Sequence, residues 1–141
     1  MPNKHINIML DPGAFMPEYA HSIDAGADLR SPVNITVPAH GSVVIDTGVH
    51  MLIPWHCAGM LKSKSGLNTK FNITSEGVID SGYTGSICAK LYNHGDKNFV
   101  VRRGDKITQI VIVPIYHGWF RVVPSFEETE RGDNGFGSTG R

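Results

Sequence analysis

The stretch from Ser86 to Ile115, SICAKLYNHGDKNFVVRRGDKITQIVIVPI, decides the fold class of this chain. Apolar runs alternate in it with clusters that contain Gly, Asn and Asp, the residues that favour turns. Short apolar runs bounded in this way at close spacing are typical of antiparallel strands in a sandwich or a barrel. We therefore predict three strands here, over Ser86–Tyr92, Asn98–Val101 and Ile107–Ile115.

The same pattern continues on both sides of this stretch. Gly (16) and Pro (8) together make up 24 of the 141 residues, which is typical of a turn-rich β architecture. A single short helix is predicted, over Ser65–Phe71. Val111–Ile115 shows little alternation, so we expect burial on both of its faces, with a subunit contact as one source of that burial. Further strands are predicted at His5–Leu10, Val33–Pro38, Ser42–Asp46, Val49–Ile53, Ala58–Leu61 and Trp119–Val123.

The composition narrows the classes of function. Thirteen Lys and Arg balance 13 Asp and Glu, which argues against a protein that holds nucleic acid by bulk charge. No apolar stretch reaches the roughly 20 residues of a membrane span, and the start of the chain lacks the apolar core of a signal peptide. We therefore expect a cytoplasmic protein of one domain, with Cys57 and Cys88 as free thiols and no nucleic-acid or membrane partner.

The C-terminal stretch, residues 127–141, differs in character from the rest. A charged run is followed by residues 132–141, which hold four glycines and one aromatic residue, Phe136. Composition alone favours a frayed end. The alternative is a mobile strap that closes over a flat apolar ligand and donates N–H and O–H groups to an anion. The sequence thus predicts a barrel domain over residues 1–126 and an arm over residues 127–141.

Two motifs carry groups suited to phosphate or to its metal. In Ala25–Ser31, Asp28 stands among small residues, where its carboxylate can reach a hydrated cation or merely lie in a turn. Lys62–Leu67 contains two lysines, two serines and a glycine. This segment is either a phosphate site at the start of the predicted helix or a solvated basic turn. Gln109, predicted to face inward, needs hydrogen-bond partners from the protein or from a ligand.

The motif EGVIDSGYTG, over Glu76–Gly85, is the most informative. It places Asp80 and Tyr83 three residues apart where a strand meets a turn. An Asp in such a place can act as a general base toward water, and the Tyr can press on a sugar ring. The alternative is a hairpin in which Asp80 caps a turn and Tyr83 is half-buried.

Together and in this order, these motifs resemble those of one family, the trimeric all-β dUTP diphosphatases (dUTPases). The resemblance covers residues 25–140 and rests most on Gly77–Gly85 and on RGDNGFGSTG, Arg131–Gly140. It implies an antiparallel jelly-roll-like β-barrel with a flexible Gly-rich tail. It also implies hydrolysis of dUTP to dUMP and pyrophosphate, which keeps uracil out of DNA and supplies dUMP for dTMP synthesis. Mg²⁺ is the implied cofactor. The implied assembly is a homotrimer in which each site takes the motif Gly77–Gly85 from one neighbouring chain and the tail from another.

The resemblance implies a role for each site residue. Asp80 is expected to orient and deprotonate the water that attacks the α-phosphorus. Asp28 is expected to reach, through water, a Mg²⁺ held mainly by the triphosphate. The residues expected to bind phosphate oxygens are Lys64, Ser65, Gly66, Gln109, Arg131, Ser138 and Thr139. Those expected to contact the uracil or the deoxyribose are Thr74, Gly77, Val78, Ile79, Tyr83 and Phe136.

One departure from the family and two alternatives bear on this expectation. Lys64 stands where the family usually has Arg, and Lys lacks bidentate geometry, so the phosphate contacts are expected to be weaker or fewer. The dCTP deaminases share the fold but carry a catalytic Glu where this chain has Lys90, which disfavours deamination. A nucleotide-sensing module that signals through a partner surface is the second hypothesis, and an assay of dUTP turnover separates it from an enzyme.

Overall fold

The computed structural model describes residues 5–140 and is built mainly of β-strands. The predicted helix is confirmed as α1, Ser65–Phe71, which ends at Asn72 with the positive φ of 57° that closes many helices. Within the described residues, no helix has the length and apolar character needed to cross a membrane. The strands are β1 (Ile8–Leu10), β2 (Gly26–Arg30), β3 (Ile35–Val37), β4 (Ser42–Met51), β5 (Cys57–Lys62), β6 (Ile73–Ile79), β7 (Ser86–Asn93), β8 (Phe99–Val101) and β9 (Lys106–Pro114).

Seven of these strands form one curled antiparallel sheet in the order β1-β4-β7-β6-β5-β9-β2, and β3 pairs with β8 in a second, two-stranded sheet. Apolar side chains from the inner faces form two core clusters. One contains Leu29 and Ile110, and the other contains Ile45 and Leu91. The prediction of an all-β fold is confirmed.

One strand of the sheet, β2, was not predicted from the sequence, and of β6 only the end that leads into the Asp80 turn was expected. β2 is poor in apolar residues, and in β6 the residues Ser75, Glu76 and Gly77 interrupt the run of Val and Ile by which strands are recognised. Pairing with neighbours sets both strands: β2 pairs with β9, and β6 lies between β5 and β7. Asp28 consequently lies inside a strand, and the turn considered as its alternative is wrong.

β4 joins two predicted strands, Ser42–Asp46 and Val49–Ile53, into one. Between Asp46 and His50, β4 advances four residues while β7 advances only two, from Cys88 to Ser86. The extra residues form a bulge, and Gly48 within it has a φ of 69°. Gly48, which lies between the two predicted strands, therefore marks an irregularity within one continuous strand.

The predicted strand Trp119–Val123 is wrong for the single chain. No described residue after Pro114 belongs to a strand, and the side chains of Trp119 and Phe120 are fully exposed. A strand exists only beside a pairing partner, and the described chain places none next to this segment. The predicted burial of both faces of Val111–Ile115 is also absent in the single chain. Val111–Val113 are half-buried, and Ile115 is 42% exposed.

Candidate active site

Four polar residues lie in one row across four neighbouring strands. Asp28 on β2 is opposite Gln109 on β9, and Gln109 is opposite Lys62 on β5. Lys62 in turn is opposite Glu76 on β6, and their side chains form an ion pair at 3.1 Å. Because opposed residues of an antiparallel sheet point to the same face, this row brings Asp28 and Gln109, from separate motifs, side by side.

Asp28 is the centre of a buried charge cluster. Its side chain is 2% exposed, Lys64 Nζ binds its Oδ1, and Lys106 Nζ lies 3.0 Å from its Oδ2. Burial by itself would raise the pKa of Asp28, but the hydrogen bonds and charges of Lys64 and Lys106 hold it below its ordinary value. The carboxylate therefore stays ionised at neutral pH, and the three side chains together carry one positive charge.

Lys106 was not among the predicted site residues. It lies just before the predicted strand Ile107–Ile115, and the strand pattern gave no reason to single out its ammonium group. Its place beside Asp28 follows from a register shift between β2 and β9, which puts Arg30 opposite Lys106 and Leu29 opposite Thr108. A side chain that meets its partner through such a bulge cannot be located by counting alternate positions.

The start of α1 lies next to this cluster. Lys64 is the N-cap residue of α1, with an extended backbone (φ −74°, ψ 127°) and no capping hydrogen bond from its side chain, which turns to Asp28 instead. Ser65 and Gly66 follow and are exposed, with no atom within 4 Å of the position that a Cβ of Gly66 would take. The predicted phosphate residues of this motif thus lie together, beside open space.

Gln109 is anchored in this row by its own amide. Its Nε2 donates a hydrogen bond to the carbonyl oxygen of Ser63 at 3.0 Å, so the structure supplies one of the partners that an inward Gln needs. Ser63 is in turn tied to β6, because its Oγ accepts a hydrogen bond from the backbone N–H of Ser75 at 3.0 Å. Gln109 also lies across Gly26, where a Cβ would stand 2.2 Å from its Oε1.

Asp80 and Tyr83 form a turn directly after β6. The Tyr83 N–H donates a hydrogen bond to the Asp80 carbonyl oxygen at 3.1 Å, and both side chains are exposed. The Tyr83 hydroxyl donates to the carbonyl oxygen of Ser86 at 2.8 Å, so the ring is held back against the start of β7. It lies over Gly85, where a Cβ would be 2.5 Å from the hydroxyl oxygen. The alternative is thus correct that the chain turns at Asp80, but the hydrogen bond uses the backbone carbonyl of Asp80 and leaves its carboxylate exposed.

β6 and β7 separate next to this turn. β7 pairs with β6 only at Ile73–Ser75, within the part of the chain that the structure describes. Over Glu76–Ile79, β6 pairs with β5 on its other side. Backbone groups of this segment that face β7 are therefore free to bind a ligand.

The predicted uracil and sugar residues on β6 differ in what their side chains can do. Ile79 is buried in the core, so only its backbone can reach a ligand. Thr74 is hydrogen-bonded to His94 Nε2 through its Oγ1 at 2.8 Å. Val78 is 58% exposed, and a Cβ on Gly77 would stand 3.2 Å from Leu61.

The charge cluster and the Asp80 turn lie at different levels of the sheet within one chain. Asp80 follows Glu76 by four residues along an extended strand, a separation of about 13 Å at 3.3 Å per residue. No hydrogen bond or ion pair among residues 5–140 joins Asp80 or Tyr83 to Lys64, Gln109 or Asp28. The structure therefore brings the phosphate residues together but leaves the predicted base apart from them.

The C-terminal residues do not meet either group in the single chain. Arg131 Nε donates to the Asn134 carbonyl oxygen at 2.9 Å, and Ser138 N–H donates to that of Gly135 at 3.1 Å. Phe136 is fully exposed, and its neighbours Ser138 and Thr139 are exposed as well. All hydrogen bonds found for residues 127–140 stay within that segment.

Comparison with known proteins identifies the family to which this geometry belongs. The sequence pattern of the dUTPase family matches residues 13–140 of the chain. The chain belongs to the dUTPase family. It is therefore an enzyme, a nucleotide hydrolase whose general reaction is the conversion of dUTP to dUMP.

Relatives of this dUTPase chain span nearly its whole length. The deoxyuridine 5'-triphosphate nucleotidohydrolase of Clostridium tetani is 40% identical over 136 residues, which cover 94% of each chain. That of Gloeothece citriformis is 38% identical over 134 residues, covering 93% of this chain and 92% of its own. Among solved structures, the dUTPase of Staphylococcus bacteriophage 80alpha with dUPNHPP is 30% identical with a TM-score of 0.92, covering 99% of this chain and 100% of that one. A dUTPase from phage phi11 of S. aureus, studied for the coordination of a structural Mg(II) ion, is 27% identical with a TM-score of 0.82 over 89% of this chain and 100% of its own.

The contact between Gly26 and Gln109 in this dUTPase gives a first test of the phosphate cluster. A methyl group at position 26 would overlap the Gln109 amide, so Gly26→Ala is expected to displace that amide. Part of this overlap is relieved because the amide ends a flexible side chain, so the free energy of unfolding is expected to fall by about 1 kcal/mol, the lower end of the cost of overpacking, and KM for dUTP is expected to rise. Urea denaturation and steady-state kinetics measure the two effects. The same change at Gly82, where an added methyl meets no atom within 4 Å, is the control. Equal unfolding free energies for the two variants would contradict the contact.

Proposed function

We propose that this dUTPase cleaves dUTP between the α- and β-phosphates by attack of a water molecule on the α-phosphorus, with Asp80 as the base that orients and deprotonates that water. The observation that carries the proposal is the position of Asp80, exposed and directly after the open backbone edge of Glu76–Ile79. A carboxylate beside a nucleoside-binding edge stands next to the α-phosphorus of the bound nucleotide. Positioned in this way, it can take the proton of the attacking water.

The open edge of β6 is the proposed uracil site. Backbone N–H and C=O groups on the unpaired side of a strand can hydrogen-bond the edge of a planar base, as a neighbouring strand would do. Gly77, Val78 and Ile79 contribute to this edge, and Thr74 would contact the uracil from the adjoining part of β6 that β7 pairs. Tyr83, held by its hydroxyl against Ser86, would pack on the deoxyribose and leave no room for a 2′-OH.

The charge cluster and the C-terminal arm are the proposed phosphate site. Lys64, Ser65, Gly66 and Gln109 would hold phosphate oxygens, supported by the positive charge that Lys64 and Lys106 maintain around Asp28. The arm, residues 127–141, is proposed as a unit distinct from the barrel domain, residues 1–126. It would close over the bound ligand. Within the arm, Phe136 would stack on uracil, while Arg131, Ser138 and Thr139 would meet the γ-phosphate.

Mg²⁺ is the proposed cofactor, carried by the triphosphate. The described residues contain no cluster of three or more His, Cys, Asp or Glu side chains that could hold a metal ion. Asp28 is nearly inaccessible and already paired with two ammonium groups, so it does not fit the role of a direct metal ligand, and a Mg²⁺ held by the triphosphate would meet it through water. When bound, Mg²⁺ would supply charge stabilisation at the phosphates.

A homotrimer with shared sites is proposed because one chain does not assemble a complete site. Asp80 lies apart from Lys64 and Gln109, and the arm makes hydrogen bonds only with itself among the described residues. The chain also exposes an apolar run after β9, including Trp119 and Phe120, that needs cover. Neighbouring chains can supply both the cover and the missing site residues.

A cytoplasmic location is also part of the proposal. Cys57 and Cys88, the two cysteines of the chain, are both free thiols. Free thiols persist in reducing compartments and are uncommon in oxidising ones.

The release of pyrophosphate tests the proposed reaction directly. We expect release from dUTP that depends on Mg²⁺, with little release from UTP and from the other deoxynucleoside triphosphates. Each nucleotide is assayed with Mg²⁺ and with EDTA. Equal rates on all nucleotides would contradict the proposed uracil site, and full activity in EDTA would contradict the role of Mg²⁺.

Tyr83→Ala tests selection of the sugar. Removal of the ring opens space beside the deoxyribose, so kcat/KM for UTP is expected to approach that for dUTP. The ratio of the two kcat/KM values is the measurement. Tyr92→Ala, which removes an exposed tyrosine ring on β7 away from the turn, serves as the control. A ratio in Tyr83→Ala equal to that of the unchanged chain would exclude the proposed contact.

A further inference from the structure

The bulge of β4 holds the segment that carries Tyr83. Thr47 Oγ1 donates a hydrogen bond to the Ile87 carbonyl oxygen at 2.6 Å, and Ser86 Oγ donates to Asp46 Oδ1. A third contact joins His50 Nδ1 to the carbonyl oxygen of Thr84 at 2.8 Å. Of the three contacts, that of His50 lies nearest to Tyr83 along the chain, because Thr84 directly follows Tyr83.

The His50 ring has an oxygen acceptor at each of its nitrogens. Nδ1 faces the Thr84 carbonyl oxygen, and Nε2 lies 3.0 Å from Asp11 Oδ1 in the loop after β1. Neither oxygen can donate a proton to the ring while Asp11 is a carboxylate. A neutral imidazole carries one N–H and can satisfy only one of the two acceptors, whereas an imidazolium satisfies both.

We propose that His50 is a positioning residue for Tyr83, which fixes the turn through the Thr84 carbonyl and does so fully only while both of its ring nitrogens carry a proton. The inference rests on the proposed contact of Tyr83 with the sugar. His50 would touch no substrate itself, but its protonation would make the selection of the sugar by Tyr83 dependent on pH. The turn, Asp80–Ser86, is held by hydrogen bonds within itself and by hydrogen bonds to side chains of β4.

The electrostatic surroundings favour the imidazolium. Hydrogen bonding to Thr84, and then to Asp11, raises the pKa of His50 above its ordinary value of 6.5, and the charges of Asp11 and Asp46 act in the same direction. On β7, the Cys88 thiol stays neutral, because burial and then the charge of Asp46 raise its pKa. No positive side chain takes part in these contacts of His50 within the described residues.

The direction of the pH effect follows from this raised pKa. The stabilisation by protonated His50 is complete below the unfolded-state pKa of about 6.5 and is lost as the pH rises through the higher folded-state value. Above that value the ring keeps one N–H, on Nε2, because the Asp11 carboxylate is a stronger acceptor than a backbone carbonyl; the Nδ1 lone pair then faces the Thr84 carbonyl oxygen, and that contact is lost. The turn is therefore expected to loosen, and discrimination against UTP to weaken, as the solution becomes alkaline.

An NMR titration of the full chain tests the structural half of the inference. The His50 ring and the backbone amides of Tyr83 and Gly85 are followed from about pH 6 to 9. We expect the amides to shift with the midpoint of the His50 ring, and this shift to disappear in His50→Gln, which keeps a donor but does not titrate. The control is His21→Gln, because His21 also pairs with a carboxylate, Asp24 at 3.0 Å, but within its own loop. Amides that do not follow the His50 midpoint overturn the proposal.

Kinetics test the functional half. In the unchanged chain, the dUTP/UTP ratio of kcat/KM is expected to fall as the pH rises through the His50 midpoint. In His50→Ala the dUTP/UTP ratio is expected to be lower by about fivefold, which is the effect of one missing hydrogen bond. In His50→Gln the ratio is expected to be partly restored, but it should no longer depend on pH. A ratio in His50→Ala equal to that of His21→Gln, together with a reduced ratio in Tyr83→Ala, overturns the positioning role. If Tyr83→Ala itself has no effect, the sugar contact fails, and the amide titration alone decides whether His50 positions the turn.

Discussion

Asn in place of Asp80 is expected to lower the turnover of dUTP by about 10²–10⁴-fold, the contribution of a positioned general base. The amide keeps the shape of the carboxylate and can still hydrogen-bond a water molecule, but it cannot accept a proton at neutral pH. The turn itself uses only the backbone carbonyl of Asp80, which accepts from the Tyr83 N–H, so the substitution leaves the fold intact. Binding of dUTP is therefore expected to remain close to that of the unchanged chain.

The measurement pairs kcat with the Kd of a non-hydrolysable dUTP analogue, so that chemistry and binding are read separately. Asp96→Asn is the matched control, because Asp96 is also exposed and, among residues 5–140, forms an ion pair only with His40, at 3.2 Å. The control should keep normal turnover. An Asp80→Asn chain that turns over dUTP at the normal rate would show that another group is the base.

Mixed trimers of two inactive chains are expected to regain activity. One parent is Asp80→Asn, and the other is a chain that ends at Glu130 and so lacks the proposed arm residues from Arg131 onward. Each is expected to be inactive alone. When the two are co-expressed with different affinity tags, trimers purified on both tags are expected to show about one third of normal activity, because one site of three is complete.

The count follows from the proposed source of each part. In a trimer with one truncated chain and two Asp80→Asn chains, only the truncated chain brings an intact Asp80. The site that receives this Asp80 takes its arm from another chain, and that arm is present. With two truncated chains, the single arm covers a site whose Asp80 comes from a truncated chain, so one site is again complete.

Persistent inactivity in mixed trimers of verified composition would mean that Asp80 and the arm of one site come from the same chain. That result would reject the shared site and leave the hydrolysis of dUTP unaffected. Sedimentation of the unchanged chain is the companion measurement. A monomeric mass with full activity would reject the trimer as well.

The local chemistry of this protein could be predicted from the sequence. The helix Ser65–Phe71 and the strand runs around Ser86–Tyr92 and Ile107–Ile115 follow from apolar periodicity and from turn residues a few positions away. The turn between Asp80 and Tyr83 depends on a hydrogen bond between residues three apart. Such features depend on neighbours in the chain, so the order of residues is enough to locate them, and the family motifs could be read in the same way.

The failures have a common physical cause. Trp119–Val123 has the composition of a strand but lacks a partner among the described residues of the single chain, while β2 lacks that composition and becomes a strand because β9 pairs with it. Strand pairing is a property of two segments, and local propensity describes only one.

Contacts between distant residues came only from the tertiary structure. Lys106 lies beside Asp28, 78 positions away, because a bulge shifts the β2–β9 register. His50 meets Thr84 across 34 positions because β4 advances four residues against two of β7. The open edge of Glu76–Ile79 arises because β7 pairs with β6 only as far as Ser75. Residue types and their spacing specify which groups are available, but the register of the strands, set by packing of the whole sheet, decides which of them face one another.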